Sequence, residues 1–424
     1  MKKERMTKIG IFLLLVVIVI SALLIFAISK FPINLNYIYI TCAIIATGII
    51  SFFEVRKHIL DVESAQYQLA EAQKIDDPIN FINRLGVYLF SIKFGSGLKC
   101  ITEDLKATPF DLRIEITDEL GFILPTVWVY EDADIEKYEY TIQVRDNIVA
   151  SGFVYPDKYM VLASEWDSYH DEIPENAIVG VEPVWQVQAY WVDKETAKKN
   201  KECVAVTPTD VIKTHLQEIA IKYANDLITI VDVGRYIEQA KTINKGIIPT
   251  LEKLNKRLSI EDIRQVFANL ITEKVSVKDI CYIFERLADY ARKSAEPDIL
   301  SERIREDLKV QISAKNANAD NVLYAINLSK EWEKTLEEHL ERTALGYVLI
   351  MESEQISEFV ETVATQLMLA DQCVGCQPVI LCAPKNRLPI YKMLKRHIPT
   401  VVVMSYLEVA DTVKLETVAT IGEE

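Results

Sequence analysis

The chain has 424 residues, half of them apolar, and a formal net charge of −15 at pH 7. That is enough for roughly two to four domains with substantial buried cores, which excludes a disordered polypeptide. The charge is unevenly divided: residues 1–58 carry +5 and the remainder −20, an acidic excess that repels phosphate backbones and excludes nucleic-acid binding through a broad basic surface.

Ile9 to Ser29 is an uncharged run of 21 residues, and Leu35 to Phe53 is another of 19. Each is long enough to cross a hydrocarbon core of about 30 Å as a helix. A secretory signal would have an apolar stretch of only about 7–15 residues and a small-residue cleavage site after it, so the pattern predicts an uncleaved anchor. Four basic residues precede the first span and Arg56 and Lys57 follow the second, whereas the short loop between them holds only Lys30. The positive-inside rule then places both chain ends in the cytoplasm, with residues 1–58 forming a transmembrane hairpin (spans 9–29 and 35–53). Neither span carries a charged group that could serve an ion path, while Thr41, Cys42, Thr47, Gly48 and Ser51 suit close helix packing.

Residues 54–77 read as a polar, weakly amphipathic helical linker leaving the membrane. A mixed α/β subdomain is expected over 78–206. It begins with a helical stretch, DLRIEITDELGFILP, followed by the strand VWVYE and a β-hairpin in which YTIQV and IVASGFV flank a turn at Asp146-Asn147. YMVLA, Val184 to Trp191 and Cys203 to Thr207 are further strand candidates. The apolar period then changes to that of helices, through Ile212, Leu216, Ile219 and Tyr223 and again through Ile260, Ile263, Val266, Phe267, Leu270 and Ile271, which predicts a helical subdomain over 207–330. From 331 to 424 strands and helices alternate (LGYVLIM, SEQISEFVETVATQLMLA, PVILCA, NRLPIYKMLKRHI, TVVVMSYLEV, KLETVATIG), as in a small α/β unit. The stretch SKEWEKTLEEHLERT, 329–343, reads as a solvated helix face.

No pattern demands chemistry. Gly95 and Gly97 open no phosphate-binding loop, so no nucleotide cofactor is expected. Cys373-Val374-Gly375-Cys376 lacks a fourth ligand at local spacing and follows a helix, so it reads as a loop and no metal site is expected. Thr207, Thr209, Asp210, Thr214, His215 and Glu218 crowd into CVAVTPTDVIKTHLQEI. There Thr207 suits a helix cap, Pro208 the first helical position and Asp210 the positive helix end. His215 and Glu218 share a helix face and could form half of a metal site, but no partner half is in view.

Four passages in order carry a family resemblance. They are QAYWVDKETAKKNKECVAVTPTDVIKTHLQEI, DELGFILPTVWVYEDADIEKYEYTIQVRDNIVASG, RLSIEDIRQVFANLITEKVSVKDICYIFERLADYA and RLPIYKMLKRHIPTVVVMSYLEVADTVKLETVATIG. Over residues 78–424 they resemble the FHIPEP family, the FlhA-type export-gate proteins of flagellar and type III secretion systems. The resemblance implies a membrane-anchored α+β protein of several subdomains without catalysis or cofactor. Its cytoplasmic part would assemble into a ring and dock export chaperones and substrates beside other export-apparatus membrane proteins. It also implies a docking surface near Asn225, Asp226, Ile228 and Ser259, although Ile228 reads equally as a core residue and Ser259 as a helix cap. Two features depart from the family: two spans stand where about eight are usual, and Thr229-Ile230-Val231-Asp232 stands where Gly-Arg-Gln-Glu is usual. Two readings are therefore carried forward. One is a component of a type III-like export apparatus in the bacterial inner membrane; the other is a tethered regulator or adaptor acting outside export. A membrane-tethered enzyme using His215 or the Cys373/Cys376 pair is a weaker third.

Overall fold

In the computed structural model, the residues described are 86–422, apart from 171, 174, 344 and 345, together with residue 57. The expected transmembrane hairpin and nearly all of the linker lie outside them. Among the described residues no helix is long and apolar enough to cross a membrane. Residues 87–424 form one compact unit.

The unit opens with β1 (Phe90–Phe94), a 3-10 turn (Ser96–Ile101) and α1 (Thr102–Leu120), followed by β2 (Val127–Glu131), β3 (Glu139–Val144) and β4 (Asn147–Phe153). These strands form a sheet of order β2-β1-β3-β4, with β1 parallel to β2 and antiparallel to β3. The parallel pair needs a crossover, and α1 provides it, ending on Gly121 at φ 72°. The hairpin forms as expected, but its turn lies one position earlier. Arg145 (φ 51°) and Asp146 (φ 62°) occupy the two left-handed positions that a type I′ turn requires, while Asn147 already pairs with Val144.

A second sheet, wholly antiparallel and of order β5-β7-β6, follows. It comprises β5 (Lys158–Leu162), α2 (Ala163–Asp167), β6 (Ile178–Val181), β7 (Gln188–Asp193) and α3 (Lys194–Lys199). Val161, Trp166, Tyr190 and Cys203 form a small core of their own. Two expected strands are shorter than the sequence indicates. The strand expected from Val184 begins only at Gln188, because the buried Glu182 carboxylate accepts the amides of Val184 (3.0 Å) and Trp185 (2.7 Å) and bends the chain into a turn. Cys203 to Thr207 reduces to one bridge, Met160 with Val206, since the next residue already caps a helix.

The helical block consists of α4 (Pro208–Lys222), α5 (Ala224–Leu227), α6 (Ile230–Ile243), a 3-10 turn (Lys245–Ile247), α7 (Ile248–Asn255), α8 (Ile260–Thr272), α9 (Ile280–Tyr290), α10 (Pro297–Asp307) and α11 (Lys309–Asn316). α8 is the centre of the block. Its Ile263, Val266, Phe267, Leu270 and Ile271 are buried, and Phe267 stacks on Tyr236 of α6 with ring centroids 5.0 Å apart.

The last unit runs β8 (Val322–Leu328), α12 (Lys330–Glu338), β9 (Leu340–Thr343), β10 (Gly346–Leu349), α13 (Ser353–Val374), β11 (Val379–Cys382), α14 (Pro384–Leu394), β12 (Val403–Ser405) and β13 (Lys414–Ile421). Its four-stranded parallel sheet has the order β12-β11-β8-β13. β8 lies ahead of the boundary expected at residue 330, so the α/β unit starts earlier than the sequence pattern suggested. The expected helical face at 329–343 also ends at Glu338, and Leu340–Thr343 instead pairs with β10. Alternation along the parallel strands sorts side chains to two faces. Leu323, Ala325, Val379 and Leu381 join the large core shared with the helical block and the first sheet, whereas Ile326, Leu328, Ile380 and Cys382 join a second core beneath α13 and α14.

A buried ionic cluster ties the helical block to the α/β unit. Arg387 of α14 meets Glu273 (2.6 Å), just past α8, and Glu302 of α10 (Nε to Oε2, 2.5 Å). Arg305 meets Glu273 (3.1 Å) and Glu408 (2.5 Å), and Glu408 in turn accepts the Ser405 amide at 2.7 Å.

Candidate docking surface

The cluster that suggested catalysis is the start of α4. Thr207 accepts the Asp210 amide at 3.2 Å, its hydroxyl donates to Asp210 Oδ2 at 2.6 Å, and Pro208 takes the first helical position. His215 points inward. It is buried, with Nδ1 2.8 Å from the Tyr140 hydroxyl, and burial, followed by the charge of Lys222, pushes it down to about 4. Its imidazole is therefore neutral, and the phenol and Nδ1 share one hydrogen bond. Glu218, expected as its helix-face partner, instead pairs with Lys274 at 2.7 Å. Cys373 is exposed and Cys376 half-buried; they flank Gly375, whose φ of 67° ends α13. Both are free thiols, and Cys382, also free, is buried in the second core.

The four residues expected at a docking surface divide into two groups. α5 is a single turn that buries Ala224 and Leu227 and leaves Asn225 and Asp226 exposed. Asn225 is fixed to α8: its carbonyl accepts from Arg264 (2.8 Å) and its side-chain oxygen from Gln265 Nε2 (2.7 Å). The Asp226 carbonyl accepts from Arg145 of the hairpin turn at 2.9 Å. Ser259 caps the same α8 through a capping box with Asp262, its hydroxyl accepting the Asp262 amide at 3.1 Å. It lies about 8 Å along the helix from Arg264 at 1.5 Å per residue. Ile228, by contrast, is 2 % exposed and belongs to the core, so it is not available as a surface anchor.

The exposed apolar groups come immediately after it. Ile230 is 47 % and Val231 58 % exposed, both in the first turn of α6. That turn is held by a second capping box. Thr229 donates to Asp232 Oδ2 at 2.7 Å, the Thr229 amide reaches the same carboxylate at 3.0 Å, and Arg235 pairs with its other oxygen at 2.6 Å. The capping box fixes the helix start, and the two positions inside it, free of packing duties, present Ile and Val to solvent. The Thr-x-x-Asp spacing was the signal in the sequence that could have placed a helix start here. The surface thus combines a rigid polar ledge, Asn225 and Asp226, with an apolar pair fixed beside it.

The described residues thus form a mixed α/β and helical body that carries an exposed polar ledge at α5. The FHIPEP family matches residues 9–414, and the chain belongs to it. It is 27% identical over 389 residues to the flagellar biosynthesis protein FlhA of Bacillus subtilis (strain 168), covering 89% of this chain and 56% of that protein. It is 26% identical over 319 residues to FlhA of Escherichia coli (strain K12), covering 73% and 44%. The chain therefore spans about half the length of these relatives. Among solved structures it shares its fold with the CdsV protein of Chlamydia pneumoniae (TM-score 0.66, 18% identity, 79% of this chain and 98% of that one). It also shares it with nonameric EPEC SctV-C (TM-score 0.63, 20% identity, 80% and 99%).

Proposed function

We propose that this protein is a membrane-anchored component of a type III-like export apparatus, whose body docks export chaperones and substrates and assembles into a ring. The observation that carries this reading is the FHIPEP match from residue 9 to 414, which takes in both the apolar runs and the folded body. Two uncharged runs, 9–29 and 35–53, form the anchor in the bacterial inner membrane, with both ends cytoplasmic. The ring is supported by the likeness of the body to nonameric EPEC SctV-C, and a second partner class by its likeness to CdsV as solved in complex with CdsO. The role is binding, not catalysis. His215, the group that chemistry would have used, is buried and neutral, and its hydrogen bond goes to a tyrosine.

The docking surface is the ledge of Asn225 and Asp226 with Ile230 and Val231 beside it, and Ser259 helps by fixing α8. A rigid apolar pair beside polar groups suits an amphipathic partner helix carrying an apolar anchor. Replacing Val231 with Asp in the chromosomal copy should reduce both secretion and recovery of chaperone–substrate complexes with the detergent-solubilised protein, while leaving the fold intact. Unchanged secretion and unchanged recovery would overturn the assignment.

A further inference from the structure

A cleft of about 350 Å³ opens where the second sheet, the helical block and the α/β unit meet. Its walls include Trp185 from the turn before β7, Lys274 just past α8, Arg305 of α10, Lys315 of α11 and Lys395 at the end of α14. Four cationic side chains line it against two carboxylates, Glu218 and Glu273, in a chain whose net charge is −15. Most of that positive charge is committed. Lys274 pairs with Glu218 (2.7 Å), Lys315 with Glu119 (3.1 Å), and Arg305 with Glu273 and Glu408.

Among the described residues, Lys395 is the cation of this set without a carboxylate partner; its ammonium donates to the carbonyl of Pro399. It is half-buried, and burial first, then the neighbouring ammonium of Lys274, push it below the ordinary lysine value, with Glu218 and Glu273 acting the other way. A charge removed from water and facing a like charge is costly unless an anion compensates it. The volume lies at the small end of the range for small-molecule sites and is too confined for a docked helix.

We infer that this cleft binds a small oxyanion, carboxylate or phosphate, held by the ammonium of Lys395 and by the N–H groups of Lys274 beyond the one it gives to Glu218. The site is separate from the proposed docking ledge, and the inference does not depend on the export reading. The test is calorimetric titration of the full chain in detergent with citrate and, separately, with inorganic phosphate. Saturable binding of at least one is expected, and whichever binds more tightly identifies the anion class. Losing a charge-assisted hydrogen bond should weaken that binding by about tenfold or more in Lys395→Met, and Lys395→Arg should restore it. Lys274→Gln should weaken it similarly and keeps the test alive if Lys395→Met fails to fold. Lys334→Met, at an exposed lysine paired with Glu338 on α12, should leave it unchanged. The inference is overturned if neither anion binds saturably, or if the folded lysine variants bind as the parent does.

Discussion

Replacing Arg387 with Met tests how the α/β unit is held to the helical block. Arg387 is fully buried and spends both guanidinium edges on carboxylates, reaching Glu273 at 2.6 and 3.1 Å and Glu302 at 2.5 Å, with a further contact to the Val403 carbonyl at 3.3 Å. Met conserves much of the volume but leaves the buried Glu408 and the part-buried Glu273 to Arg305 alone, and the part-buried Glu302 without an ion-pair partner. Removing one partner of a buried ion pair costs about 3–5 kcal/mol, because the partner left behind is an uncompensated charge. The cost should depend on pH. Burial raises the Glu273 carboxyl, but Arg305 and Arg387 more than offset this and hold it below the usual carboxylate range. Burial raises Glu302, and Arg387 offsets that only in part. In the parent, the depressed Glu273 contributes stability that is present above its unfolded value and is lost as pH falls through its folded value. In the variant Glu302 loses its cation and Glu273 keeps only Arg305, so both take up protons more readily and the deficit should be largest near pH ~7.5 and shrink toward pH ~5. Urea denaturation of residues 87–424, parent against variant, measures this at both pH values. Adding Glu273→Gln and Glu302→Gln to Arg387→Met should recover part of the loss. A deficit below about 1 kcal/mol, or one equal at both pH values, would refute the account, since such a loss is what an exposed pair costs.

Three further outcomes follow from the same geometry. The His215 imidazole should titrate near pH 4 by NMR, so stability falls as pH drops from its unfolded value toward 4, and Tyr140→Phe should cost about 1–3 kcal/mol by leaving Nδ1 without its hydrogen-bond partner. A midpoint close to 6.5 would show that the ring is hydrated. Ile228→Asp should fail to fold, because it buries an unpaired charge, while Val231→Asp keeps its circular dichroism spectrum and melting temperature; similar behaviour of the two would contradict the inward and outward placement of these side chains. Ser259→Ala should lower stability by about 1 kcal/mol through loss of the α8 cap, and an unchanged denaturation midpoint would count against the capping box.

Much of the local structure was legible before any coordinates. The caps at Thr207 and Pro208, the helical period from Ile260 to Ile271 and the strand-helix alternation after 346 all rest on contacts between residues a few positions apart, which a linear pattern records. The misses share a different origin. VLYAINL carries no strict alternation because β8 is buried on both faces, between β11 and β13. The strand expected over Val184 to Trp191 forms only from Gln188, because the buried Glu182 carboxylate turns the residues before it back.

The sequence by itself determined most of the element types, the acidic charge balance and the family. Only the tertiary structure decided which face each side chain took. Ile228 and Val231 are three positions apart and both apolar, yet one is core and the other is surface, because the capping box at Thr229 resets the direction of the helix between them. The ionic cluster and the cationic cleft were equally invisible. Arg387 lies 114 positions from Glu273 and 85 from Glu302, and charges that far apart along the chain acquire their partners, their burial and their shifted titration only when the folded core brings them together.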